Sequence, residues 1–379
     1  MSFPPIYLDN NATTSLDPEV ARVMIEDLSS GLPLNPSSTH SLGQQAKGLL
    51  SKARQTLATY LSIKPKEIIF TSGGTESMNF LIRGHIPSLE KIHIITSNIE
   101  HSCIEKTLVN LTSQGHELSF LPATLGGAVS TQSIEQAINP LTKLLVFSAV
   151  NSETGVKQDL TALSNIALHY RIPLIIDGVA LMGKESFSLP PGITGMGFSA
   201  HKFHGPKGIG FAFLRFPTKI TPLLTGGGQE HGLRSGTESL TSILGLAKAV
   251  ECLKKELPIA SIRMQELRNY MEIELLRTLP STQINGLLPR ICNVSNLCFP
   301  GVSAETLLMQ LDLHGIAASH GSACSSGAIE PSRILTQMGI PISQARSSLR
   351  FSLSRLTTKE EIDRVLYLLT SFVPKLSSL

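Results

Sequence analysis

An α/β fold with a large, mainly parallel-sheet unit and a second, smaller α+β unit is predicted by two features of this sequence. Short, wholly apolar runs alternate with helical patterns over about residues 16–250. Runs at that spacing belong to parallel strands covered by helices on both faces. After about residue 255 the character changes to one long helical pattern followed by scattered strand candidates. The 379 residues, 41% of them hydrophobic, suffice for two to three domains. We place residues 16–254 in the large unit, and 1–15 with 255–379 in the small one.

Taken in order, 41–61 reads as a helix, 67–71 (EIIFT) as a buried strand and 75–85 as a helix. Residues 91–96 (KIHIIT) read as a strand, 102–114 as a helix and 144–150 (LLVFSAV) as another apolar strand. Asp159 is placed to cap a helix ending at Tyr170, and 173–177 (PLIID) is the strand that follows. In the smaller unit a long helix is expected over 261–279, with strands at 291–299 and 347–353. Thr358 and Glu361 form a capping pair that opens the last helix.

The formal charge is +3, and basic residues form no run longer than a pair, so neither nucleic acid nor an acidic membrane surface is an expected partner. No signal peptide and no membrane span are expected. Five cysteines, an odd number without close pairs, argue against a disulfide framework and a zinc site, and suit a reducing cytoplasm.

Three elements of the large unit carry chemistry together. The run 197–210, GFSAHKFHGPKGIG, embeds Lys202 among histidines and glycines between apolar strand candidates. An ordinary lysine is a solvated surface charge, but a sequestered one can lose its proton and bond covalently to a carbonyl. Asp177 ends an apolar strand, where open α/β sheets bind their ligands. A carboxylate there can keep the pyridine nitrogen of pyridoxal phosphate protonated, although a helix-capping aspartate would look the same. TSGGTES at 71–77 lies between a strand and a helix, the place where free backbone N–H groups bind phosphate.

Cys324 stands apart from the other cysteines. Cys103, Cys252, Cys292 and Cys298 sit among apolar or helical neighbours and fit buried packing. Cys324 lies in HGSACSSGAIEPS, a run of small and polar residues that reads as an exposed loop, and so as a nucleophile that moves.

The motifs together resemble the cysteine desulfurases of the NifS/IscS type, a branch of the class-V aminotransferases, over nearly the whole chain. They are YLDNNATT (7–14), NPSSTHSLG (35–43), FTSGGTES (70–77), EHS (100–102) and SAHKFHGPKG (199–208). GGGQEHGLRSGTES (226–239), GSACSSG (321–327) and ARSSLRFSLS (345–354) complete the set. The resemblance implies the type I fold of pyridoxal-phosphate-dependent transferases, like aspartate aminotransferase, and a homodimer with shared active sites. It implies that Lys202 holds the cofactor covalently, that Asp177 pairs with its ring nitrogen, and that His101 stacks on the ring and transfers protons. Gly74, Thr75, Ser199 and His201 would hold the phosphate, with Thr237 reaching in from the partner subunit. Arg350 would bind the carboxylate of L-cysteine. Cys324 would take the sulfur as a persulfide, pass it to an acceptor such as an iron–sulfur scaffold or to tRNA thiolation, and touch a nascent cluster transiently.

Two positions depart from the family pattern. Ser152 stands where an Asn is usual, and Ala180 where a Gln is usual. Both replaced residues donate hydrogen bonds to the phenolic oxygen of the cofactor in the family. Ser152 keeps a hydroxyl in the cofactor site and Ala180 keeps none. Two other readings stay open: a selenocysteine lyase or cysteine-sulfinate desulfinase, and a degenerate sulfur-transfer scaffold of low activity.

Overall fold

The computed structural model describes residues 5–86, 89–321 and 330–377. Strand β1 (Ile6–Tyr7) precedes helices α1 (Pro18–Ser29) and α2 (Ser41–Leu61). Then β2 (Ile68–Thr71), α3 (Gly74–Gly84), β3 (His93–Ser97), α4 (Ser102–Thr112), β4 (Glu117–Leu121) and α5 (Thr131–Ala137) alternate. The alternation goes on through β5 (Thr142–Ser148), α6 (Leu160–Tyr170), β6 (Leu174–Asp177), β7 (Ile193–Ser199) and β8 (Gly210–Leu214). After α7 (Leu240–Thr278) come β9 (Gln283–Ile284), β10 (Val294–Cys298), α8 (Ala304–Leu313) and β11 (Ile316–Ala317). The short helices α9 (Arg333–Gln337) and α10 (Ile342–Ala345), strand β12 (Ser348–Ser352) and α11 (Lys359–Ser377) end the chain.

A seven-stranded sheet, ordered β2-β8-β7-β6-β5-β3-β4, organises the larger body. Only β8 runs against its neighbours, so the sheet is mainly parallel, as the apolar runs predicted. Those runs are unbroken because both faces are covered. Leu145, Phe147, Leu174 and Ile176 face one core. Leu144, Val146 and Ile175, their alternating neighbours, face the other.

A second core gathers Ile6 and Leu8 with the C-terminal half of α7, β10, β12, α8 and α11. It is built on the antiparallel sheet β12-β10-β9 and the parallel pair β1-β11. The capping pair is present: Thr358 N–H donates to Glu361 Oε2 at 2.9 Å, and Glu361 N–H to Thr358 Oγ1 at 3.3 Å.

Two local differences from the sequence reading have plain causes. Glu67 lies in a 3-10 turn ahead of β2 rather than in the strand, because its carboxylate turns back to accept the Lys64 N–H at 2.8 Å. The helix expected over 261–279 is the second half of the 39-residue α7, which runs through Pro258. A proline removes the donor to the carbonyl four residues back. That residue is Lys254, and both it and Pro258 are exposed, so water can take the missing donor's place.

The segment after β8 is pinned from beneath. Glu230 is buried, accepts from both terminal nitrogens of Arg54 at 2.9 and 2.6 Å, and takes the Phe70 N–H at 2.9 Å. This ties 226–239 to the edge strand β2. Removing one member of such a pair leaves the other charge buried and unpaired. Glu230→Ala is therefore expected to destabilise the fold by about 3–5 kcal/mol, read as a lower denaturant midpoint. An unchanged midpoint would mean that Arg54 finds water instead.

Candidate active site

The parallel register decides what meets at the carboxyl edge of the large sheet. Ser148, Asp177 and Gly197 are paired across β5, β6 and β7, and Ser199 and Thr71 both pair with Gly210. The strand-ending polar residues thus form a row at the edge where α/β sheets bind ligands. A cavity of about 740 Å³ opens there. Its wall includes Gly74, Thr75, His101, Ser152, Asp177, Ala180, Ser199, His201, Lys202 and Arg350, ten of the residues singled out in the sequence. Thr237 is exposed on the tethered 226–239 segment and is not part of that wall. Cys324 lies outside the described residues.

Lys202 ends a 3-10 turn directly after β7. Its Nζ donates to the carbonyls of Asn11 and Ala12, the second at 2.9 Å. The N-terminal segment is held against this turn by Thr14, whose N–H and hydroxyl both donate to the His201 carbonyl, at 2.9 and 3.0 Å.

The TSGG turn approaches the strand-end loops closely because it lacks side chains. A Cβ on Gly74 would lie 2.7 Å from Val179 Cγ2, in the loop after Asp177. A Cβ on Gly210 would lie 2.7 Å from Gly73 Cα. Helix α3 starts at Gly74, and its first free N–H in use is that of Ser77, bonded to the Gly73 carbonyl at 3.0 Å. The N–H groups ahead of it belong to the unpaired first turn of a helix. With Ser72, Thr75, Ser199, His201 and Lys207 they line a polar recess of about 450 Å³. Burial, then Lys202 and Lys207, push His201 down to about 4, so its ring is neutral and one of its nitrogens carries a proton to donate.

Asp177 is buried at the end of β6. Burial raises its pKa, against the pull of His101, the Val179 N–H at 2.9 Å and Lys202. His101 caps α4, its Nδ1 accepting the Cys103 N–H at 3.1 Å. Burial lowers its pKa, Lys202 and Arg333 add to that, and Asp177 opposes it. Arg350 on β12 donates from Nη2 to Asp9 Oδ1 at 2.7 Å and from Nη1 to the Ser152 carbonyl at 3.2 Å. Its Nε is buried and has no partner among the described residues. Ala180 contributes only a methyl group to the wall, and the Ser152 carbonyl also accepts from Asn11 Nδ2 at 2.9 Å.

Three buried titratable groups in the wall were not singled out in the sequence: Lys184, Glu100 and Glu153. Lys184 donates from Nζ to the Lys202 carbonyl at 3.0 Å, and burial lowers its pKa to about 8, with Lys202 adding to the effect. Nothing in its local run, MGKES, signals that depth. Glu100 precedes His101 in the EHS motif and accepts the hydroxyls of Ser97 and Ser148. Burial raises its pKa from 4.5 to about 7. Between those values the folded protein keeps a proton that the unfolded chain has released, so this group's contribution to stability is lost as pH rises through about 7. Glu100→Gln removes that loss. Its stability should gain on the wild type across the same interval, by on the order of 3 kcal/mol once Glu100 is ionised. Urea unfolding at several pH values reads the difference, and parallel curves would refute it.

The model of the class-V aminotransferase family matches residues 6–365. Cysteine desulfurase IscS of Dictyoglomus turgidum is 37% identical over 378 residues, covering 99% of this chain and 96% of that protein. Cysteine desulfurase IscS of Methanosarcina thermophila is 38% identical, covering 99% and 93%. Among solved structures, a NifS-like protein superposes with a TM-score of 0.91 at 32% identity, covering 98% of this chain and 100% of that one. SspA in complex with cysteine superposes at 0.82 with 32% identity, covering 93% and 100%. The chain belongs to the class-V aminotransferase family, among its cysteine desulfurases.

Proposed function

We propose that this protein is a pyridoxal-phosphate-dependent cysteine desulfurase that converts L-cysteine to L-alanine and passes the sulfur onward through Cys324. One observation carries the reading: a strand-end lysine, a buried strand-end carboxylate, a helix N-terminus and an arginine share one cavity. The donor set fits the cofactor. The polar recess offers unpaired first-turn N–H groups, the hydroxyls of Thr75 and Ser199 and a neutral His201, which suits a phosphate dianion. Asp177, costly to ionise alone in its buried place, is suited to a protonated ring nitrogen. Lys202 supplies the amine. When bound, the cofactor supplies an electron sink for the substrate α-carbon.

The remaining chemistry belongs to side chains. Arg350, steadied by Asp9, offers its unpaired Nε to the substrate carboxylate. His101, neutral and beside Asp177, offers its ring N–H to the reacting groups. The substrate sulfur leaves Cβ for Sγ of Cys324: the S–S bond forms as the Cβ–S bond breaks, and Cβ gains a proton, which makes the product alanine. Cys324 then carries the sulfur in oxidised form until an acceptor protein takes it.

We assign Thr237 to the cavity of a partner subunit in a homodimer, since it is exposed and outside its own chain's cavity wall. Iron–sulfur cluster assembly is the proposed destination of the sulfur and the cytoplasm the proposed setting. Among the described residues no helix is long and apolar enough to cross a membrane. With Ser152 and Ala180 in place of longer amide donors, anchoring rests on the phosphate recess and Lys202. The division at residue 254 is also a proposal, supported by the split between the two cores along α7.

Borohydride treatment of the cofactor-loaded protein should leave a reduced adduct on Lys202 alone. An adduct on Lys184 or Lys207 would overturn its role. The Cys324→Ala variant should still bind cofactor and cysteine, seen in the visible band, while sulfide release drops to that of a protein-free control. Sulfide release at the wild-type rate would exclude Cys324 as the sulfur acceptor.

A further inference from the structure

Three imidazoles line the cavity, and the hydrogen bonds of two of them, His101 and His320, give those two opposite polarity. His101 Nδ1 accepts a backbone N–H, so the neutral ring carries its proton on Nε2 and offers the cavity a donor. His320 is the reverse. Its Nδ1 lies 2.7 Å from the carbonyl oxygen of Ser348. A carbonyl can only accept, so Nδ1 holds a proton, and in the neutral ring Nε2 keeps the lone pair. That Nε2 is buried and has no hydrogen-bond partner among the described residues. Buried polar atoms are almost always paired, and an unpaired acceptor in a cavity wall is held ready for a ligand.

The position of His320 says which part of a ligand it meets. Ser319 and Arg350 exchange both backbone hydrogen bonds, at 3.1 and 2.7 Å. His320 is therefore one residue from the partner of the arginine assigned to the substrate carboxylate, and it lines the same cavity as Lys202 and His101. An amino acid anchored at Arg350 with its amino group towards Lys202 has one short side chain left to reach His320.

We propose that His320 is a specificity-determining residue, whose Nε2 accepts a hydrogen bond from the S–H of bound L-cysteine. It selects a neutral, protonated thiol over an anionic side chain such as a sulfinate, whose oxygens can only accept. A site that hydrogen-bonds a substrate donor rejects an analogue lacking it, because the site's own group is left unpaired. This inference rests on the desulfurase reading and adds to it the feature that reads the substrate side chain.

The test uses the cofactor-loaded wild type and the variants H320L, H320F and H320Q. It measures kcat/KM for L-cysteine and L-cysteine sulfinate, and the Kd of L-alanine from the visible band. Alanine occupies the anchor without a thiol. H320L and H320F should lower kcat/KM for cysteine by roughly 10-fold, raise it for sulfinate and leave the alanine Kd unchanged. H320Q, which keeps a donor for Ser348 and an oxygen acceptor for the thiol, should restore most of the cysteine preference. Apolar variants that keep the wild-type ratio of cysteine to sulfinate turnover would overturn the role of His320 alone. So would an alanine Kd that rises in step with the loss on cysteine, which marks a packing role. A wild-type protein that prefers sulfinate to cysteine would overturn the desulfurase reading itself.

Discussion

The hydrogen bonds that carry residues 9–14 across the molecule are the constraint on which the site depends. Asp9 holds Arg350, Asn10 and Asn11 bond to Ser352, and Thr14 bonds to the His201 carbonyl. Between them, Asn11 and Ala12 offer their carbonyls to Lys202. A single short segment thus sets the distance between the lysine of the large sheet and the arginine of the small one. Neither side chain could be placed so by its own strand alone.

The large sheet supplies the other half of the geometry through its register. Parallel strands that end together bring their last residues together, and here those residues are polar although the strands are apolar. Burial then sets their chemistry. Asp177 and Glu100 are both pushed towards the protonated state, while His201 and His101 are pushed towards the neutral one. The cavity is a place where charge is dear until an opposite charge arrives. That is a fitting environment for a dianionic phosphate and a cationic ring nitrogen.

Much of this was legible in the sequence, and the parts that were not share a cause. Strands β2, β5 and β6 announced themselves by apolar runs, and Lys202, Asp177 and Gly74 by their places at strand ends. Helix α7 was read as only its second half, whereas it runs on through Pro258, which is exposed together with Lys254. The burial of Glu100 between Ser97 and Ser148 was hidden because the second hydroxyl comes from a different strand, brought near by pairing. His320 was likewise silent: its polarity depends on the Ser348 carbonyl, on a strand that follows much later in the chain. Local pattern reveals elements and their ends, whereas the proton on a given nitrogen is decided by whatever folds back against it.

Strand β1 pairs with β11, and Asp9 with Arg350 across 341 positions of sequence. Chains emerge from the ribosome from the amino end, and early domains fold first. The large sheet can form while the rest is still being made, but its cavity lacks a wall until β11 and β12 appear. Residues 6–9, made before the large sheet, must therefore wait for strands made after it. The entropy of closing so long a loop grows only slowly with its length, so the delay costs time more than stability. A chain cut short before β12 would have Lys202, the buried Asp177 and the polar recess, and would lack Arg350, the residue proposed to bind the substrate carboxylate.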